Sequence, residues 1–176
     1  ALTGFRRHYL NTLKPLLRET ARGFLPTSGE LDLSFQPGWR DTQLNLLDAL
    51  RLNHDRDIQS GFCGIGPHRA DWTVSLGAGL QQAHFSRGQG KLLALAALMA
   101  QAQRFVQEKG FWPILCFDDI ASELDQRHCV NVLDFLTDCP AQIWITGTEA
   151  SASFTECFKT HKTFHVEQGM LKDSAQ

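Results

Sequence analysis

Ile114-Leu115-Cys116-Phe117-Asp118-Asp119 reads as a buried strand that ends in two adjacent carboxylates. Four apolar residues in a row after Pro113 fit a strand covered on both faces, as in a parallel sheet, with Cys116 a small buried hydrophobe. In open α/β sheets the carboxyl end of such a strand is where ligands bind. Two neighbouring acids there repel each other unless a cation or a proton relieves them. A hard cation such as Mg²⁺, itself held by phosphates, is one remedy. The competing reading is an acidic turn in water, since Asp-Asp also opens loops. Directly downstream lies Ala121-Ser122-Glu123-Leu124-Asp125. Here Ser122 can cap the next helix, and the acids suit that helix's positive end.

Working outward, Leu124 to Leu136 has the spacing of an amphipathic helix, and Gln142 to Thr146 reads as another strand. Thr163 to Lys172 reads as a hairpin turning at Gln168-Gly169. Upstream, Phe85-Ser86-Arg87-Gly88-Gln89-Gly90-Lys91 opens a strongly apolar helix from Leu92 to Val106. Ser86 with Gln89 three residues on is a capping box. A helix start with free amides, a hydroxyl and Gly88 is also a ready anion site. Gly90-Lys91 does not complete a phosphate loop, because Phe85 stands at the required first glycine and Leu92 replaces Ser or Thr. Further back, glycines 61, 64 and 66 lead into a strand at Trp72 to Leu76. Gly77 and Gly79 then suggest a hairpin returning over Leu80 to Ala83.

The first sixty residues are patterned differently. Gly4 to Phe24 predicts a helix with Phe5, Tyr9, Leu13, Leu16 and Leu17 inward and a kink or restart at Pro15. Arg7, Lys14, Arg18 and Arg22 share another side of it, a candidate contact for nucleic-acid phosphates or simply a solvated face. Leu31 to Phe35 alternates as a half-buried strand. Thr42 to Asn53 predicts a second helix with Leu46, Leu47 and Leu50 inward. Strand and helix alternate after residue 61, so an α/β layered domain is expected there.

Composition excludes several classes. A 43% hydrophobic content supports a packed core, and a net charge of −2 gives no global pull toward nucleic acid. The longest apolar run, Leu92 to Ala100, falls well short of the ~18 residues that span a bilayer, so no membrane association is expected. Cys63, Cys116, Cys129, Cys139 and Cys157 are scattered without metal-ligand spacing, which points to reduced thiols in the cytoplasm. A chain opening on Ala1 reads as a processed or cloned fragment.

The order of these motifs is that of ABC-type ATPases: a capped SRGQ, an apolar helix, a strand ending Asp-Asp, SELD, then Ile-Trp-Ile-Thr. Within that class the wording resembles the RecF family. The resemblance rests on GPHRAD (Gly66 to Asp71), FSRGQGKLLALA (Phe85 to Ala96) and ILCFDDIASELD (Ile114 to Asp125). It rests also on FQPGW (Phe35 to Trp39) and ITGTE (Ile145 to Glu149). It implies an α/β, P-loop NTPase (ABC ATPase-like) half-domain with a helical lobe at the amino end. Residues 1–60 would end that lobe, and residues 61–176 would be the carboxy-terminal half of the ATPase lobe.

The resemblance also implies roles. Asp118 would hold Mg²⁺ and Asp119 would activate the attacking water. Ser86, Arg87, Gly88 and Gln89 would reach ATP bound on a second copy. Ser122 and Asp125 would line the dimer seam, and Thr148 would occupy the switch position. For His68 and Arg69, an Arg69–Asp71 turn and a nucleotide or DNA contact both stand open. The expected partners are single-stranded or gapped DNA, an ATP-dependent homodimer and other recombination-mediator proteins, in DNA repair, replication and the damage response. Without a GxxxxGK[ST] loop this chain alone is expected to bind ATP poorly and to hydrolyse essentially none. The alternative is a non-enzymatic remnant that binds protein or lends signature residues in trans.

Overall fold

The computed structural model describes residues 1–26, 29–77, 80–81, 84–148, 157–158 and 160–173. The chain divides into two compact units, Ala1–Pro113 and Ile114–Gln176. The predicted return strand is described only at Leu80–Gln81. Gly79, Gln82, Ala83 and Glu149 lie outside the described residues.

In the first unit α1 spans Leu2–Phe24 and α3 spans Arg87–Lys109, and the two helices pack together. Leu17 and Phe24 of α1, with Leu92, Ala96 and Ala100 of α3, are fully buried. Each large side chain so buried stabilises the fold by roughly 1.5–3 kcal/mol before entropy is counted. Thr20, a buried polar residue, donates its hydroxyl to Leu16 O at 3.0 Å and to Gln103 Oε1 at 3.2 Å. The inward stripe differs from the expected one: Leu13 and Leu17 are buried, whereas Phe5 is 73% exposed and Tyr9 lies under the Arg104 guanidinium. The packed stripe instead continues downstream through Ala21 to Phe24. The helix also runs through Pro15 without restarting. Asn11, whose carbonyl loses its partner to the proline, is exposed, so water can serve it.

Strand β1 (Leu31–Gln36) pairs antiparallel with β2 (Asp71–Leu76), and β2 pairs with β3 (Leu80–Gln81). Leu31, Leu33, Val74 and Leu76 form the inner face. On the outer face the hydroxyls of Ser34 and Thr73 meet at 2.7 Å. Sequence on either side of residue 60 therefore shares one sheet, because β1 finds its ladder partner beyond it. Helix α2 (Leu46–Ser60) starts later than predicted, capped by Asn45, whose side chain accepts from Asp48 N–H. Ala49 is its buried residue, with the expected Leu46 and Leu50 half-buried on the same face, while Leu47 is 57% exposed and does not join them.

In the second unit β4 (Leu115–Phe117) and β5 (Ile143–Ile145) form a parallel pair. The short α4 (Ile120–Glu123) leads into α5 (Gln126–Thr137), which buries Cys129, Val132, Leu133 and Leu136. β4 is buried on one face only: Leu115 and Phe117 are covered, but Ile114 is exposed and so is Cys116. The expectation of a fully buried strand and a buried Cys116 is thus corrected. Nothing among the described residues of this unit covers the alternate face. Strands β6 (Phe164–Glu167) and β7 (Met170–Asp173) form the predicted hairpin. Gln168 and Gly169 both take positive φ, as a two-residue turn requires.

Gly38 is the tightest backbone approach. It has φ 88°, and a Cβ there would lie 2.2 Å from Gly66 O. Its carbonyl accepts from Gly66 N–H at 3.0 Å, tying the turn before α2 to the Gly66–Asp71 stretch. Gly38→Ala should therefore destabilise the chain by about 2 kcal/mol or more, read as a lower urea midpoint.

Candidate functional site

The two acids stand where the strand pattern requires, at the exit of β4. Asp118 is exposed and Asp119 half-buried. Asp119 adopts left-handed backbone geometry (φ 49°, ψ 37°), a conformation that few residues other than Gly, Asn and Asp tolerate. Bonds from Ser122 and Thr146 hold it there. Ser122 Oγ donates to Asp119 Oδ2 at 2.6 Å, Ser122 N–H donates to Asp119 O at 3.1 Å, and Asp119 N–H donates to Thr146 Oγ1 at 3.1 Å. Thr146 in turn donates its hydroxyl to Asp118 Oδ1 at 2.5 Å. Ser122 therefore does not cap the following helix; it bonds backward to Asp119.

Asp125 is the cap of α5, accepting from His128 N–H at 3.0 Å and meeting His128 Nδ1 at 2.7 Å. The backbone bond first, then the His128 side chain, hold the Asp125 carboxyl below the usual carboxylate range. A depressed carboxylate contributes stability above its unfolded value and loses it as pH falls through the folded one. The α5 cap should therefore persist through the ordinary aspartate titration range and fail only below it, as measured by amide exchange in the first turn of α5.

At the start of α3 the capping box is complete. Ser86 Oγ accepts from Gln89 N–H at 3.2 Å, and Gln89 Oε1 accepts from Ser86 N–H at 2.9 Å. Capping uses acceptor lone pairs only. The Ser86 hydroxyl proton and the Gln89 amide protons remain available as donors, so capping and anion binding are compatible. Arg87 and Gly88 are exposed, and a Cβ on Gly88 would meet open space. Their amides are among the orphan donors of a helix start. Ser86→Ala should lower stability by about 1 kcal/mol, checked by thermal or urea unfolding.

Thr148 is exposed and bonds to neither acid; Thr146, two residues earlier, bonds to both. Sequence reading placed Thr146 at a strand end and gave it no role. The available signal was the parallel register, in which Phe117 pairs with Ile145, so the next residues of each strand lie level. Asp118 offers one exposed carboxylate, and among the described residues no group of three or more His, Cys, Asp or Glu side chains could hold a metal. A single carboxylate would hold Mg²⁺ only together with waters and phosphate oxygens of a bound nucleotide.

The basic stripe on α1 is largely paired. Arg7 meets Asp41 at 2.6 Å, Lys14 meets Asp32 at 2.7 Å, and Arg18 meets Asp32 at 3.0 Å and Glu30 at 3.7 Å. Arg18 Nε also donates to Leu31 O at 2.7 Å. The Lys14 hydrogen bond, opposed by burial and aided by the charges of Lys14 and Arg18, holds the Asp32 carboxyl below its usual range. Arg22 is exposed and makes no ion pair among the described residues. Lys14, Arg18 and Arg22, with Asn11, Glu19 and Glu30, line a shallow groove.

His68 and Arg69 have a structural explanation. Both turn to Cys63 O, at 3.0 and 3.1 Å, and Arg69 lies over the Phe62 ring. Asp71 does not pair with Arg69; its carboxylate accepts from Trp72 N–H.

No protein-family profile matches the chain. It is 42% identical over 175 residues to a "DNA replication and repair protein RecF" of Xanthomonas euvesicatoria, covering 99% of this chain and 48% of that protein. The RecF of Stenotrophomonas maltophilia is 43% identical over 171 residues, covering 97% of this chain and 46% of that protein. The chain thus spans about half the length of the curated relatives it matches. Among solved structures, the recombination mediator protein RecF with ATP superposes with a TM-score of 0.74 at 19% identity, covering 98% of this chain and 46% of that one. An SMC ATPase studied for ATP-driven dimerisation gives 0.59 at 13%, covering 97% and 86%. The fold is that of RecF and SMC ATPase heads, and the sequence is related over nearly its whole length to the carboxy-terminal portion of RecF-family proteins.

Proposed function

We propose that this chain supplies the signature and paired-acid half of a RecF-type ATPase that acts in DNA repair and replication. The observation that carries this reading is the 42% identity to RecF over 99% of the chain. Local geometry supports it: the SRGQ stretch opens the 23-residue helix α3 through a capping box that uses only acceptors, and Asp118-Asp119 follows directly on β4. ATP is the ligand, and two copies close around it.

In this reading the N–H groups of Arg87 and Gly88, with the Ser86 hydroxyl and Gln89 amide, bind the terminal phosphate of ATP held by the opposing copy. Such fixed donors need no reorganisation as charge develops. Asp118 would hold Mg²⁺, which when bound neutralises phosphate charge. Asp119 accepts the proton of the attacking water, as general bases do. Ser122 and Asp125 lie along the seam, and Thr148 senses the phosphate. Single-stranded or gapped DNA is bound through phosphates by Arg7, Lys14, Arg18 and Arg22, of which Arg22 makes no ion pair among the described residues. Other recombination-mediator proteins are its partners, in the cytoplasm. Among the described residues no helix is long and apolar enough to cross a membrane.

The sequence contains no GxxxxGK[ST] loop, so the test supplies one. The chain is mixed with a polypeptide carrying a GxxxxGK[ST] loop, taken from the part of the Xanthomonas euvesicatoria relative that this chain does not cover, with ATP and Mg²⁺. The expected result is a dimer by light scattering that forms only with ATP, together with turnover that Asp119→Asn lowers roughly 100-fold. Robust turnover by the chain alone would overturn the reading. Association that ignores ATP would favour a non-enzymatic protein-binding module instead.

A further inference from the structure

We propose that Thr146 is the positioning residue of the paired acids, fixing the Asp118 side chain and the Asp119 backbone through one hydroxyl and leaving the second Asp118 oxygen open to a divalent cation. The proposal rests on the reading of Asp118 as a cation holder given above. The hydroxyl is used twice. It donates to Asp118 Oδ1 at 2.5 Å and accepts the N–H of Asp119 at 3.1 Å. Chained bonds of this kind polarise one another, and the carboxylate end is charge-assisted. The third anchor is the backbone of Thr146 itself, whose N–H donates to Phe117 O at 2.9 Å and so levels the ends of β4 and β5.

Each contact removes a freedom the site would otherwise have. An exposed aspartate samples three staggered χ1 wells, and the short bond to Oδ1 selects one. Oδ1 then carries the Thr146 bond, while Oδ2 of this exposed residue has no hydrogen bond to any described residue. Asp119, in its left-handed conformation, would otherwise relax toward ordinary backbone. The Thr146 oxygen holds its N–H while Ser122 holds its carbonyl and carboxylate. A threonine that merely ended a strand would satisfy its own hydroxyl locally; this one spans 28 residues to reach Asp118.

The test uses the 176-residue chain with Mn²⁺ as a paramagnetic probe, read by NMR line broadening, and the water-exchange rate of the Asp119 amide as a metal-free second readout. Thr146→Val keeps the shape and removes the hydroxyl; Thr146→Ser keeps the hydroxyl. Binding through one competent rotamer in three implies that Thr146→Val weakens Mn²⁺ affinity by about threefold or more and speeds Asp119 exchange. Thr146→Ser should retain wild-type values for both. Wild-type values in Thr146→Val, or valine-like values in Thr146→Ser, would overturn the proposal. If Thr146→Val loses its dispersed spectrum, the serine variant decides alone by the same criterion. Mn²⁺ broadening that survives Asp118→Asn would sink the cation reading itself, a distinct failure because the Asp119 exchange series uses no metal.

Discussion

Two carboxylates on consecutive residues at the tip of a strand are a standing electrostatic problem, and the second unit is organised around it. Side chains alternate along β4, but the turn after Phe117 breaks the alternation. Asp119 swings into left-handed backbone, and Asp118 is the first residue beyond the strand. The two charges then meet different environments. Asp118 is tied sideways to β5 through Thr146, and Asp119 is tied forward to α4 through Ser122. The two acids are thereby held apart by separate hydrogen bonds, and the parallel pairing of β4 with β5 is what brings Thr146 within reach of them.

The same logic of double use recurs at the start of α3. A capping box consumes acceptors, whereas an anion site consumes donors, so one Ser-x-x-Gln can do both. The bland reading and the functional reading of SRGQ are therefore not rivals. Asp125 differs: one of its oxygens accepts the His128 N–H and the other meets the His128 ring.

Much of this was legible in the sequence because it depends on local rules. The capping box, the Gln168-Gly169 turn, the strand at Leu31 and the apolar α3 all follow from spacing and residue type. Errors arose where burial depends on a neighbour that sequence periodicity cannot name. Phe5 and Tyr9 share a stripe with Leu13 and Leu17, yet only the downstream half of that stripe meets buried surface. Cys116 sits in an apolar run, yet one face of β4 is open. Thr146 was missed for the related reason that its partner is 28 residues away and only strand register joins them.

The pairing of the α1 cations has a consequence for ionic strength. A phosphate backbone arriving at Arg7, Lys14 or Arg18 would displace a carboxylate already in place, exchanging one anion for another and not releasing a full condensed counterion. The logarithmic dependence of affinity on salt would then be shallower than four positive charges suggest, with Arg22 contributing most of the slope. On the proposed DNA contact, the internal carboxylates would act as a built-in competitor to a long polyanion at this face.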